Sequence, residues 1–229
     1  ISVDGVPDGE FVWNVLVCDN QTPALNCSFA PANFTLKMDA TSPSNVAYVN
    51  PTPANGSFRN YNYSYVNVSF TELNPDSCLL NYVYANSSNV NLTMTRVAST
   101  CWFNVTSQPD GEANFTVYVN DSAGNWGSNL STYKFYVDTT KPASIVYVSP
   151  TPLNGSTQNY AYSYINVMFT ETNSDGCLLN YVYPNSTNIN LTMTRIGSTC
   201  WFNVTTQSDG EANFTVYVND TVGSWGSNA

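Results

Sequence analysis

The stretch Gly111-Glu112-Ala113-Asn114-Phe115-Thr116-Val117-Tyr118-Val119-Asn120-Asp121 recurs letter for letter as Gly210–Asp220. Within it Phe115, Val117 and Val119 alternate with Asn114, Thr116, Tyr118 and Asn120. A period of two, carried by aromatic and β-branched residues, is the pattern of a strand with one buried face. Asn114 and Thr116 frame an Asn-Phe-Thr acceptor for an N-linked glycan. They lie two apart, so both point outward while the ring between them points inward. A sugar there leaves the core undisturbed.

The identity extends far beyond eleven residues. Cys78 maps to Cys177 and Cys101 to Cys200, and both differences (177 − 78, 200 − 101) are 99. Pro43–Leu130 aligns with Pro142–Ala229 without a gap, with 63 identities in 88 positions. The first forty residues repeat the same unit in part. Pro7–Glu10 matches Pro109–Glu112 at an offset of 102, and Asp39–Pro43 matches Asp138–Pro142 at 99, so three extra residues sit in Cys18–Pro31. The expected organisation is a partial repeat over 1–40 (late strands only), a complete repeat over 41–140, and a repeat over 141–229 without its last strand, the counterpart of Ser131–Asp138. The chain begins with Ile1 rather than Met, as expected where a leader has been removed or where a longer protein contributes a piece.

Each unit reads as strand. Ser64–Thr71 sets Val66, Val68 and Phe70 on one face; Ser131–Val137 does the same with Tyr133, Phe135 and Val137. Further strands are expected near Val46–Asn50, Cys78–Tyr84, Val90–Arg96 and Thr100–Thr106, separated by turn formers such as Pro109-Asp110-Gly111. Seven short strands in 99 residues give an all-β chain of tandem immunoglobulin-like (fibronectin type III-like) β-sandwich repeats. The pattern Asp110-Gly111-Glu112, Val117–Asn125 with its Asp-Ser-Ala-Gly-Asn turn, and Phe135-Tyr136-Val137-Asp138-Thr139-Thr140-Lys141-Pro142 resembles the tandem immunoglobulin-like repeats of bacterial and archaeal cell-surface proteins. That resemblance implies stalks, adhesins, surface layers or filaments. The third copy departs from it at Thr221–Ser224, and the first replaces the turn with the cysteine loop.

Composition narrows the function. Six Lys plus Arg against sixteen Asp plus Glu give a net charge of −10, which excludes phosphate neutralisation on nucleic acid and docking on anionic membrane. No apolar run has the length of a membrane span. With no His there is no Ser-His-Asp or Cys-His arrangement and no His metal site; no catalysis and no cofactor are expected. Cys18 with Cys27, Cys78 with Cys101 and Cys177 with Cys200 are three local pairs, read as disulfides of an oxidising, extracellular setting, pairing within each repeat being the simplest choice.

Eighteen Asn-x-Ser/Thr acceptors are present: Asn20, Asn26, Asn33, Asn55, Asn62, Asn67, Asn86, Asn91, Asn104, Asn114, Asn120, Asn129, Asn154, Asn185, Asn190, Asn203, Asn213 and Asn219. Random placement of the same residues gives roughly seven. Covalent N-glycans are therefore expected, with Asn120, Asn129 and Asn219, read as turn residues, easiest to reach. Asp19, Asp39, Asp121, Asp138 and Asp220 recur near repeat boundaries, where hard oxygens suit Ca²⁺ and where Asp also serves turns. Glu72 and Arg96, recurring as Glu171 and Arg195, are expected to pair across strands. Trp102 and Trp201 are expected to pack on the bridges or at the rim, a carbohydrate platform being the sharper reading. Tyr61, Tyr63 and Tyr65, with Tyr160, Tyr162 and Tyr164, read as an exposed aromatic strip, either an interface or a surface for glycans to lie on. The expected partners are copies of the chain itself, joined head to tail by strand complementation into an archaeal surface filament. The other class is a carbohydrate-binding adhesin or surface-layer segment.

Overall fold

In the computed structural model, residues 5–20, 26–129 and 131–228 are described. The acceptor Asn-x-Thr at Asn20 runs into 21–25, outside them. Among the described residues no helix is long and apolar enough to cross a membrane.

Four strands come first: β1 (Gly9–Trp13), β2 (Leu16–Cys18), β3 (Cys27–Phe29) and β4 (Phe34–Met38). The next ten form a sandwich: β5 (Ser44–Val49), β6 (Ser57–Arg59), β7 (Ser64–Thr71), β8 (Pro75–Val83), β9 (Asn89–Thr93), β10 (Thr95–Val97), β11 (Thr100–Val105), β12 (Gly111–Asp121), β13 (Trp126–Ser128) and β14 (Tyr133–Val137). One sheet runs β10-β11-β7-β5 and the other β6-β14-β12-β8-β9, with β13 on β12. Eight more strands rebuild most of this: β15 (Ala143–Val148), β16 (Tyr162–Thr170), β17 (Ser174–Val182), β18 (Asn188–Thr192), β19 (Thr194–Ile196), β20 (Thr199–Thr205), β21 (Asn213–Asp220) and β22 (Trp225–Ser227), in sheets β15-β16-β20-β19 and β18-β17-β21-β22.

The alternation read from the sequence decides which side of each strand is dry. Val66, Val68 and Phe70 of β7 face Leu80 and Tyr82 of β8 and Phe115, Val117 and Val119 of β12 across one buried core; Ile165, Val167, Phe169, Leu179, Tyr181, Val216 and Val218 do so in the second. The Cys78–Cys101 and Cys177–Cys200 disulfides span the two sheets, each with a Cα–Cα distance of 6.4 Å. A buried polar pair in the first core is self-satisfying: the Tyr82 hydroxyl donates to Gln108 Oε1 at 2.5 Å, and Gln108 Nε2 donates to Val105 O. Burial pushes the Tyr82 phenol above its ordinary value.

Three expectations change. The middle unit has ten strands instead of seven. Val90–Arg96 is not one strand: β9 pairs with β8 and β10 with β11, in different sheets, and the buried Met94 marks the crossing, its N–H bonded to Cys78 O at 3.0 Å. Glu72 does not meet Arg96. Glu72 Oε1 accepts from the Leu73 and Asn74 N–H groups, while Arg96 Nε donates to Asp76 O. Glu72 lies just past the end of β7, where the turn's own N–H groups satisfy its carboxylate locally.

The first four strands keep the same registers without a sandwich. Gly9↔Met38 through Trp13↔Phe34 reproduces Gly111↔Val137 through Phe115↔Tyr133, and Leu16↔Phe29 through Cys18↔Cys27 reproduces Tyr118↔Ser128 through Asn120↔Trp126. The Cys18–Cys27 bridge thus takes a cross-strand pair position at the turn that carries the extra residues. In the last unit the second sheet runs β18-β17-β21-β22 among the described residues, and Phe214 and Tyr147 are more open than Phe115 and Tyr48.

Because Cys78 and Cys101 close a 23-residue loop, replacing both with Ala should lower the stability of the middle sandwich by about 3 kcal/mol. Denaturant melts should show that loss in one transition only. Loss spread equally over both sandwiches would contradict it.

Candidate functional site

Two features lie outside the cores: the array of glycan acceptors and the joints between units. None of the eighteen acceptor asparagines is buried; Asn20, Asn26, Asn33, Asn55, Asn62, Asn86, Asn91, Asn154, Asn185, Asn190 and Asn213 are exposed and the others half-buried. This follows from strand period, since each acceptor on a strand sits on the wet face. Asn86, Asn129 and Asn185 accept on Oδ1 from the N–H two residues on, each at 3.0 Å. Such a turn directs the amide nitrogen outward.

Asn120 and Asn219 correct the sequence reading. They end strands rather than occupy turns, and their amides are engaged: Asn120 Oδ1 accepts from Ser77 N at 2.9 Å while Nδ2 donates to Asp76 Oδ2, and Asn219 bonds Gly176 N and Asp175 Oδ2 the same way. Asn67, Asn104 and Asn203 each keep a buried, unbonded Oδ1. Each is paired across the sheet with an aromatic residue, Asn67 with Trp102, Asn104 with Tyr65 and Asn203 with Tyr164. Trp102 and Trp201 point away from the bridges, half-open to solvent, because each follows an inward Cys. The tyrosine strip is exposed except at half-buried Tyr61, with ring centroids 4.7 Å (Tyr61–Tyr63) and 6.3 Å (Tyr63–Tyr65) apart and a matching series at Tyr160–Tyr164.

The joints are built from short polar residues. On the preceding side, Asp110 accepts from Thr139 N at 3.0 Å, Thr139 Oγ1 at 2.8 Å and Thr140 Oγ1 at 2.6 Å. Asp8 holds Ala40 N and Thr41 Oγ1 alike. On the following side, Asn74 Nδ2 reaches Asp39 Oδ2 at 3.1 Å and Asn173 Nδ2 reaches Asp138 Oδ2 at 2.5 Å. Glycine closes the joint: a Cβ on Gly127 would lie 1.9 Å from Pro43 O, and one on Gly226 2.0 Å from Pro142 O. The Asp-x-Thr linker is thus clasped from both ends, and its Pro fixes φ. Sequence reading missed Asp110, Asn74 and Asn173; their recurrence at matched offsets beside the linker was the available signal.

Burial raises the Asp110 carboxyl, but the bonds from Thr140 and Thr139 outweigh it and hold the group below its ordinary 3.8. A carboxylate depressed in the folded state stabilises above its unfolded value and loses that contribution as pH falls through the folded one. Asp110→Ala should therefore loosen the joint at pH 7, seen as a broader distribution of end-to-end distances in solution X-ray scattering. Wild-type protein should approach the variant as the pH falls below the ordinary carboxylate value and through the lowered one of Asp110. Identical scattering of both at pH 7 would contradict the clasp.

No family model matches this chain, and no curated relative does. Among solved structures it is similar to the N-terminal eight immunoglobulin domains of Down syndrome cell adhesion molecule (TM-score 0.46, 9% identity, 96% of this chain and 37% of that one). It is also similar to a two-domain fibronectin type III segment of chicken tenascin (TM-score 0.35, 14% identity, 82% and 98%). A third likeness is to a 1.5-MDa bacterial ice-binding adhesin (TM-score 0.35, 14% identity, 72% and 55%). On the strand order, register and inter-sheet core described above, the chain is an array of tandem immunoglobulin-like β-sandwich repeats.

Proposed function

We propose that the chain is an extracellular structural protein: a glycosylated repeat subunit or segment of an archaeal cell-surface filament, divided into a partial repeat (1–40), a complete repeat (41–140) and a repeat open at its last-strand position (141–229). The observation that carries this reading is the linker clasp. Each sandwich meets the next through a few bonded residues and not through a broad mobile interface, so the array extends in one dimension. Three disulfides suit an oxidising exterior, and acceptors on the wet faces suit a glycan coat that keeps neighbouring arrays apart.

Head-to-tail joining uses strand exchange. β4 is the sequence counterpart of β14, and its Leu36 and Met38 stand where Phe135 and Val137 fill the middle core. Among the described residues β22 covers Tyr217–Asn219 of the corresponding β21 edge, and the proposed exchange uses the rest of that edge. When β4 of one copy leaves β1 for β21 of another, backbone pairing and two apolar side chains are gained by the acceptor. The contact is heterologous and open-ended, which yields a fibre. The exposed Tyr and Trp rows favour the second reading, an adhesin stalk or surface-layer segment gripping carbohydrate.

Purified chain should form polymers of regular axial spacing under electron microscopy, and Leu36→Lys should abolish them while both sandwiches still melt as in wild type. A wild-type chain that stays monomeric at high concentration would overturn strand exchange. Glycan-array binding lost on Trp102→Ala would favour the adhesin reading.

A further inference from the structure

The dipeptide Asn-Gly occurs twice in the chain, each time as Asn-Gly-Ser: Asn55-Gly56-Ser57 in the middle unit and Asn154-Gly155-Ser156 in the last. The two turns share one backbone conformation. Gly56 and Gly155 have φ of +76° and +74°, and the Ser57 and Ser156 N–H groups donate to Ala54 O and Leu153 O, both at 3.0 Å. Both asparagines and both glycines are exposed. In sequence, conformation and access to water the two sites are alike.

They differ in what holds them. In the middle unit β14 lies against the turn, and the Lys134 backbone grips it twice: Lys134 N–H donates to Asn55 Oδ1 at 3.0 Å, and Gly56 N–H donates to Lys134 O at 2.7 Å. Among the described residues the Asn154 side chain and the Gly155 N–H have no hydrogen-bond partner. That difference bears on a reaction to which this dipeptide is prone. The backbone nitrogen after an asparagine attacks the side-chain Cγ once its proton has passed to a solvent base. A C–N bond forms, the amide leaves as ammonia, and a cyclic succinimide results. Water then opens the ring at either carbonyl, giving Asp or isoaspartate. Glycine permits the attack best, having no Cβ to shield its nitrogen.

We infer that Asn154 is a site of spontaneous deamidation and that its counterpart Asn55 is protected from it by β14. At Asn55 both bonds to Lys134 must break first. Gly56 N has to give up the proton it shares with Lys134 O, and the Asn55 amide has to swing off Lys134 N–H onto Gly56 N. At Asn154 neither bond stands in the way. Conversion there adds a carboxylate to a chain already at −10 and destroys the acceptor Asn154-Gly155-Ser156. A sugar on Asn154 Nδ2 removes ammonia as the leaving group, so glycosylation and deamidation compete for one nitrogen. That competition rests on the glycosylated reading proposed above; the deamidation itself does not.

The test is incubation of the folded chain, made without N-glycans, at mildly alkaline pH, followed by acid-protease digestion and mass spectrometry of the two Asn-Gly peptides. Asn154 should convert roughly tenfold or more faster than Asn55, the factor by which two hydrogen bonds suppress the open turn. In denaturant the two rates should converge. Lys134→Pro, which removes the N–H that Asn55 accepts, should speed conversion of Asn55, whereas Lys134→Ala, which keeps the backbone, should not. In the native glycoprotein, sugar-bearing Asn154 should stay unconverted; its conversion at the unglycosylated rate would overturn the competition and leave the deamidation standing. Equal rates at the two sites in the folded chain, or no conversion at Asn154, would overturn the inference and leave the Lys134 bonds a purely structural role.

Discussion

Everything in this chain depends on the division of each strand into a dry and a wet face, locked by one bridge between the two sheets. Cys78 and Cys101 are buried neighbours of Leu80, Val68 and Val119. A bridge there fixes the distance between layers and, through the period of two, fixes which residues meet water. The glycan acceptors, the tyrosine strip and the half-open tryptophans are consequences. Shifting any of these strands by one residue would bury Asn and Tyr hydroxyls and expose Val and Phe.

That division was legible in the sequence because duplication wrote it twice. Ser64–Thr71, Gly111–Asp121 and the bridges appear where alternation and the offset of 99 put them. What escaped was governed by tertiary context. β6 and β13 are three-residue strands that exist only because β14 and β12 offer them edges. Met94 reads as one more residue of a continuous strand, yet it is where the chain changes sheets. The Glu72–Arg96 pairing failed because recurrence marks a position as structured without naming its partner. The acidic residues at the boundaries were visible, but not the Asn125 amide that bonds both Asp121 Oδ2 and the Asp39 carbonyl.

The joints explain how separate sandwiches act as one object. A linker clasped by Asp110 on one side and by Asn173 on the other has few free torsions. Two short threonines and a proline therefore give stiffness without a large apolar interface. The same economy leaves the sandwich flanks free to carry sugar, and a chain with so little positive charge has few sites for trypsin-like cleavage.

The most direct measurement of the central claim, a rigid extracellular array coated on its wet faces, is site-resolved mass spectrometry of glycopeptides from the native protein. The account predicts sugar at Asn86, Asn129 and Asn185, whose turns present the amide nitrogen, and unmodified Asn67, Asn104 and Asn203, whose amide oxygens are buried. An unmodified chain, or sugar confined to those sheltered positions, would contradict it.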